Sequence, residues 1–131
     1  MSDAPPRVPA DHRAYLASLP EAVRPLLGEI LARVQALLPD ARPCISYQMP
    51  AYRGGPGQGR VFFYVAAFRR HIGVYPPVTD DAGLVAELAP WRNPKGNLAF
   101  PLSQPLPLDV IDRVALALHA QYALASPKGT P

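Results

Sequence analysis

The chain has 131 residues, of which 49 % are hydrophobic, and this size and composition fit one domain with an apolar core. Its single cysteine cannot form an internal disulfide, and it excludes cysteine-rich zinc or iron–sulfur sites. The sequence contains neither an apolar stretch near the roughly 20 residues of a membrane helix nor the apolar segment of a signal peptide. We therefore expect a cytoplasmic protein, of the bacterial type, with no membrane partner.

The charge is mildly positive and widely spread. Lys and Arg number 13 against 10 Asp and Glu, a net charge of +3, and the densest basic pair is Arg69–Arg70. A non-specific nucleic-acid binder usually carries a dense stripe of basic residues. We therefore expect no nucleic-acid partner. A small molecule remains the candidate partner, and anionic molecules such as phosphate compounds are among the candidates.

The 18 prolines divide the chain. Residues 1–10 are expected to form a flexible, proline-rich tail, and residues 125–131 a second flexible tail. No internal repeat separates the remainder, so residues 11–124 are predicted to form a single domain.

Three stretches predict helices besides a short one over Asp11–Ser18. Apolar residues recur every three or four positions between Val23 and Leu38, which indicates an amphipathic helix that ends before Pro39. The Ser18–Glu21 segment fits a capping box ahead of that helix, and Pro25 is expected to kink its first turns. Asp81 is expected to cap a third helix, and a fourth follows Pro107.

Extended segments lie between these helices. In Cys44–Met49, which ends at Pro50, small or polar residues alternate with large ones, as in a strand. Three further segments have the composition of strands: Arg60–Phe68, His71–Tyr75 and Asn97–Phe100. The fold class expected is α+β, with two layers: an antiparallel sheet of four to five strands, and the N- and C-terminal helices packed on one face. The other face is then free to be a site.

Catalytic and metal motifs are weak. The glycine-rich segment before Arg60 lacks the Lys-Ser or Lys-Thr and the helix of a phosphate loop, and it predicts a hairpin connection. The three histidines belong to separate elements without metal-ligand spacing, so no metal site is predicted. An enzyme that uses Cys44 or His71 stays open as an alternative if the two residues lie on neighbouring strands.

A polar and aromatic group is the candidate ligand site. If the strand at His71 alternates, His71 and Tyr75 point to the open face and Ile72 and Val74 to the helices. Tyr47 and Met49 can join them, with Arg69 and Lys95 as cations. Aromatic walls, an imidazole and cations suit a small-molecule site. A buried histidine in a tyrosine network is the structural alternative.

The strand Arg60–Phe68 poses a packing problem. Alternation places Phe62, Tyr64 and Phe68 on one face and Val61, Phe63 and Val65 on the other, and only one face is covered by helices. We expect either a curved sheet that buries both sets or self-association through the exposed set. The assembly expected is a monomer or a weak homodimer.

Three ordered segments resemble the signature blocks of a known family, domain-of-unknown-function family 1801, also called YdhG-like. They are Ile45–Tyr52 (ISYQMPAY), Ala67–Pro76 (AFRRHIGVYP) and Lys95–Pro101 (KGNLAFP). The resemblance covers about residues 12–122 and implies a small α+β domain without established enzymatic activity. One branch of the family is described as a frataxin-like intracellular iron chaperone for iron–sulfur cluster or haem assembly, so iron enters only through the resemblance.

The leading hypothesis is a non-enzymatic, cytosolic binding module with an unresolved ligand and no cofactor. Its candidate site residues are Tyr47, Met49, Arg69, His71, Tyr75 and Lys95. The iron chaperone is the first alternative, and a small enzyme that uses Cys44 or His71 is the second.

Overall fold

The computed structural model describes residues 10–124, with side chains from His12 onward. The elements in chain order are α1 (Ala10–Ala17), α2 (Arg24–Leu37), β1 (Arg42–Ser46), β2 (Met49–Gly54), β3 (Arg60–Ala67), β4 (His71–Tyr75), α3 (Ala82–Glu87), a 3₁₀ turn (Ala89–Trp91), β5 (Leu98–Pro101), α4 (Leu108–Leu118) and a π turn (His119–Ala123). The predicted tails lie outside the described residues, except that Ala10 already begins α1. None of the helices described is long and apolar enough to cross a membrane.

The five strands form one antiparallel sheet in the order β1-β2-β3-β4-β5, which confirms the predicted α+β class. Tyr52 of β2 points to the helices, because its hydroxyl donates to the Leu31 carbonyl of α2 at 2.9 Å. On the same side, the ring of Phe62 lies edge-on to His119 at 5.0 Å between centroids. We call this side the helix face and the opposite side the open face.

The core lies between the sheet and the helices. Twelve large side chains are essentially inaccessible to solvent. They are Leu27, Ile30, Leu31, Tyr52, Phe62, Phe63, Ile72, Leu88, Leu98, Phe100, Ile111 and Leu118. The apolar periodicity of α2 and α4 therefore accounts for the helical half of the core.

A β-bulge in β3 explains how two consecutive phenylalanines enter this core. Tyr52 pairs with Phe63, but the next residue of β2, Arg53, pairs with Val61, so Phe62 is the extra residue. An extra residue interrupts the strict alternation of a strand. Phe62 and Phe63 thus both point to the helix face and are fully buried. Beyond the bulge, Tyr64 returns to the open face.

The prediction of a single strand over Cys44–Met49 was wrong. The chain reverses at Tyr47 and Gln48, and Ser46 pairs with Met49 across a two-residue turn. Both turn residues have positive φ, 51° and 64°, as a type I′ hairpin requires. The sequence signal was hidden because such turns usually contain Asn or Gly.

Pro50 therefore lies inside a strand, β2, where a proline was expected to end one. The pair after the one that closes a two-residue hairpin exchanges no hydrogen bonds, and that pair here is Ile45 with Pro50. On its other side, the pairing of β2 with β3 begins at Ala51. The missing N–H of Pro50 thus removes no bond of the ladder.

The predicted capping box and kink at the start of α2 were also wrong. The Ser18 hydroxyl donates instead to the Tyr15 carbonyl at 2.6 Å, at the end of α1. Helix α2 begins at Arg24 without a side-chain cap, and Pro25 lies in its first turn, where the lost N–H has no partner in any case. The cap of α3 is confirmed, since Asp81 Oδ1 accepts from the Leu84 N–H at 3.0 Å.

Replacing Gln48 by glycine is expected to stabilise the fold. A left-handed conformation is unfavourable for a residue with a Cβ, and glycine adopts it freely, so the free energy of unfolding should rise by about 0.5–1 kcal/mol. Thermal and urea unfolding of Gln48→Gly measure the change. Gln58→Gly is the control, because Gln58 lies in a loop but has no positive φ. An equal gain in both variants contradicts the role of the turn geometry.

The π turn after α4 attaches the C-terminal end of the described chain to the sheet. Its first residue, His119, packs on Phe62 and on the bare Cα of Gly54. Burial lowers the pKa of the His119 imidazole below its ordinary value.

This lowered pKa predicts a pH dependence of stability. Between the unfolded pKa of about 6.5 and the lower folded pKa, the unfolded chain binds the proton more readily. The contribution of His119 to stability is therefore complete above about pH 6.5 and is lost as the pH falls through this window. We expect His119→Gln to reduce the slope of Tm against pH between about pH 5 and 7. Identical slopes in the two proteins would contradict the assignment.

Candidate ligand-binding face

Alternate residues of the central strands form the open face. Tyr64 of β3 pairs with Tyr75 of β4, and two residues along the strands Ala66 pairs with Gly73. His71 pairs with Pro101 of β5 on the same face. The intervening residues Ile72 and Val74 are fully buried on the helix face, as predicted.

Five rings follow one another across this face. Tyr47 contacts Tyr64 at 5.9 Å between ring centroids, and Tyr64 is the cross-strand neighbour of Tyr75. At the other end, Phe68 stacks on His71, with centroids 4.8 Å apart and planes 22° apart. We call Tyr47, Tyr64, Tyr75, Phe68 and His71 the aromatic strip.

Gly73 joins the two halves of the aromatic strip. A Cβ at this position would lie 2.5 Å from the Tyr75 hydroxyl and 3.1 Å from Cε2 of Phe68. The two rings thus meet above the bare backbone of Gly73. The absence of a side chain at Gly73 leaves room for both side chains on this face.

The strip is accessible while its centre is partly desolvated. Tyr47 is 81 % exposed and Phe68 44 %, whereas Tyr64, Tyr75 and His71 are half-buried. Burial raises the pKa of the Tyr75 hydroxyl, and Tyr15 adds to the effect. The Tyr75 hydroxyl is therefore protonated at neutral pH and can donate a hydrogen bond.

The structure brings most of the predicted site residues together. Tyr47, Met49, His71 and Tyr75 belong to the open face, and Arg69 lies in the turn that precedes His71. Lys95 is separate from that turn: it lies before β5, next to the Val74–Leu98 pair, whereas His71 pairs with Pro101 at the far end of β5.

The predicted ligand site did not include Tyr64 and Phe68, since alternation alone left open whether their set or the set of Val61, Phe63 and Val65 is exposed. Their place beside His71 and Tyr75 follows from the register of β3 with β4. The sequence signal for it was the shared alternation of the two strands, but the bulge at Phe62 obscured which face each residue takes.

Charge is distributed unevenly between the two layers. Residues 41–79 and 92–107, which we call the sheet segments, contain all five strands, six arginines and Lys95, but no Asp or Glu. The described acidic residues all lie on the helices or in the segments that border them. The cations of the sheet segments are Arg42, Arg53, Arg60, Arg69, Arg70, Arg92 and Lys95.

Ion pairs follow the same division. Arg33 of α2 forms a bidentate pair with Asp112 of α4, and Arg113 of α4 pairs with Glu87 of α3. In the sheet segments, Arg42 donates to the carbonyls of Gly55 and Gly57, and the guanidinium of Arg60 lies over the ring of Tyr122 in the π turn, 5.9 Å from its centroid. Within the described residues, no salt bridge involves a cation of the sheet segments, so their positive charge is not neutralised by a carboxylate.

Two alternative sites are not assembled. Two strands, β2 and β3, separate Cys44 of β1 from His71 of β4, a distance of about 14 Å at the usual strand spacing. No nucleophile–base pair therefore forms between them. Among residues 10–124, no group of three or more His, Cys, Asp or Glu side chains is placed to hold a metal ion. The iron-binding role implied by the resemblance stays a prediction.

A groove of about 580 Å³ lies on the other layer, between α3 and α4. Leu84 and Leu116 line it together with the Glu87–Arg113 pair. It contains none of the six predicted site residues.

Fold and site together define a two-layer α+β domain that covers one face of its sheet with helices and presents aromatic rings on the other. The crystal structure of YdhG from Bacillus subtilis, a protein of the DUF1801 family, is similar to this chain with a TM-score of 0.68. The match covers 83 % of this chain and 87 % of that one at 15 % sequence identity. The chain thus has the DUF1801 fold, and the resemblance read from its sequence is confirmed at the level of the fold. No family model and no curated protein matches the chain.

The junction at Gly73 supplies a test of the strip. Gly73→Ala forces the Tyr75 and Phe68 rings apart, and overpacking of this kind should lower the free energy of unfolding by about 1–3 kcal/mol. Gly28→Ala, inside α2, is the control. Its new Cβ would contact only Leu16 of α1, at 3.7 Å, so the substitution should raise the free energy of unfolding by about 0.5–1 kcal/mol. Urea unfolding of both variants measures the difference. Stabilisation by both substitutions would show that the rings do not meet over Gly73.

Proposed function

We propose that this protein is a non-catalytic, cytosolic binding module that holds an anionic ligand with planar groups on its aromatic strip. The observation that carries the proposal is the coincidence of five neighbouring rings with sheet segments that contain seven cations and no carboxylate. Exposed aromatic patches rimmed by polar groups mark interaction surfaces more often than isolated apolar residues do.

The chemistry of the strip favours this ligand class. Ring faces stack on planar groups, and the phenol of Tyr75 and the imidazole of His71 offer hydrogen bonds. Arg69 and Arg70 form the turn between Phe68 and His71. Guanidinium groups bind phosphate, sulfonate or carboxylate in a bidentate fashion. The aromatic and cationic contributions therefore meet at the same end of the sheet.

Anilinonaphthalene sulfonate is a suitable first probe, because it combines two aromatic groups with one anionic group. We expect the native protein to bind it with a rise in fluorescence. The double variant Tyr47→Asn/Phe68→Ser should weaken binding at least several-fold. Both side chains are exposed, and Asn tolerates the left-handed turn at position 47, so the fold should persist. Fluorescence titration and thermal melting measure affinity and folding in parallel.

Leu26→Ser provides the matched control. Leu26 is a 36 % exposed residue of α2, in the helix layer. Leu26→Ser therefore removes an exposed apolar side chain, as the double variant does, but away from the strip. We expect the control to bind the probe like the wild type. Equal binding by the double variant and the wild type would place the probe elsewhere and contradict the proposed function.

A further inference from the structure

Resting on the proposed function, we propose that the ligand of the aromatic strip is a single-stranded nucleic acid, whose bases stack on the rings while its phosphates meet the arginines. Composition alone predicts the opposite, since a net charge of +3 spread along the chain resembles ordinary surface charge. The placement of the rings and of the charges in the fold changes that assessment.

The number of rings favours a polymer over a single nucleotide. The strip extends from the β1–β2 hairpin through β3 and β4 to the turn after Phe68, so it crosses more than two strand spacings of about 4.8 Å each. One base covers one or two rings. A row of five, with Tyr47 at one end and His71 at the other, offers faces for several bases joined by one backbone.

The charge of this layer fits a polyanion. The sheet segments carry +7 from Arg and Lys with no acidic residue, and the rest of the chain, with six Arg and Lys and ten Asp and Glu, brings the total to +3. Arg69 and Arg70 are exposed and form no salt bridge within the described residues. Single-strand binders combine such cations with aromatic platforms in this manner.

The open face suits a single strand rather than a duplex. Ring stacking requires a base face that is not already covered, and in a duplex both faces of every base are stacked on neighbours. The described face consists of sheet and tight turns, with no helix positioned to enter a groove. Stacking on the rings uses the flat faces of the bases, which every base possesses. We therefore expect the protein to bind single strands with only weak preference for their sequence.

Filter binding with radiolabelled homopolymers of about ten nucleotides, in ribo- and deoxy-forms, tests the proposal without a planar dye. We expect single strands of one or both sugars to bind and the matching duplex to bind at least tenfold more weakly. Tyr47→Asn/Phe68→Ser should lose about tenfold or more in affinity, since each stacked base contributes about that much. Polyglutamate of equal charge should fail to displace the oligonucleotide.

Substituting Arg69 and Arg70 together by glutamine tests the phosphate contacts. The slope of log affinity against log salt should fall by about 1.4 for two contacts on a single strand. Arg24→Gln/Arg113→Gln makes the same change of charge in the helix layer and should leave the slope unchanged. An equal fall in the control pair would show an effect of net charge alone and would overturn the phosphate assignment.

The outcomes separate this inference from the proposed function. Binding of anilinonaphthalene sulfonate that depends on the strip, without binding of any oligonucleotide, overturns the nucleic acid and leaves the binding module standing. Failure of both ligands overturns both proposals. Oligonucleotide binding that the aromatic variant retains, that a duplex matches, or that polyglutamate displaces is charge-driven attachment and also overturns the stacking platform.

Discussion

The extra residue in β3 is the constraint on which both the core and the candidate site depend. Without the bulge, strict alternation would place Phe62 on the same face as Tyr64. The core would then lose a fully buried ring beside His119, and the open face would gain a sixth aromatic residue at its centre. With the bulge, Phe62 and Phe63 both stabilise the helix face, and Tyr64 remains in register with Tyr75. One local irregularity thus separates the packed face of the sheet from the candidate ligand-binding face.

Electrostatics divides the molecule along the same boundary. The described acidic residues lie on or beside the helices, where Arg33 pairs with Asp112 and Arg113 pairs with Glu87. In the sheet segments, Arg42 and Arg53 donate to backbone carbonyls, and Arg60 lies over the ring of Tyr122 in the π turn. Because exposed cations interact only within about 8–10 Å at moderate salt, the electrostatic field near a residue of the sheet depends on the nearby charges more than on the net charge of the chain. The net charge of the whole chain therefore does not describe the charge of the sheet segments, which contain seven Arg and Lys and no Asp or Glu.

Sequence patterns predicted the two long helices, one helix cap and the alternation of β4. The period of α2 and α4, the cap at Asp81 and the alternation around Ile72 were all recovered in the structure. The features that were missed involve one or two residues: the bulge at Phe62 and the two-residue turn at Tyr47 and Gln48. A hairpin of Tyr and Gln, stabilised by tertiary pairing rather than by turn propensity, has no local signature. The separation of Lys95 from His71 depended on the register of β4 with β5, which no local pattern specifies.

The conformation of Tyr47 connects the energetics of the fold to the candidate site. A large side chain in the left-handed region is unfavourable by about 1–2 kcal/mol, and Tyr47 gains little burial in return, since it is 81 % exposed. Its one ring contact within the described residues is with Tyr64, the next member of the strip. An aspartate, asparagine or glycine would satisfy the turn at lower energy but would end the strip at β3. A turn optimised only for stability would therefore carry no aromatic ring at this position. Backbone strain is often found at functional sites, and Tyr47 belongs to the candidate site.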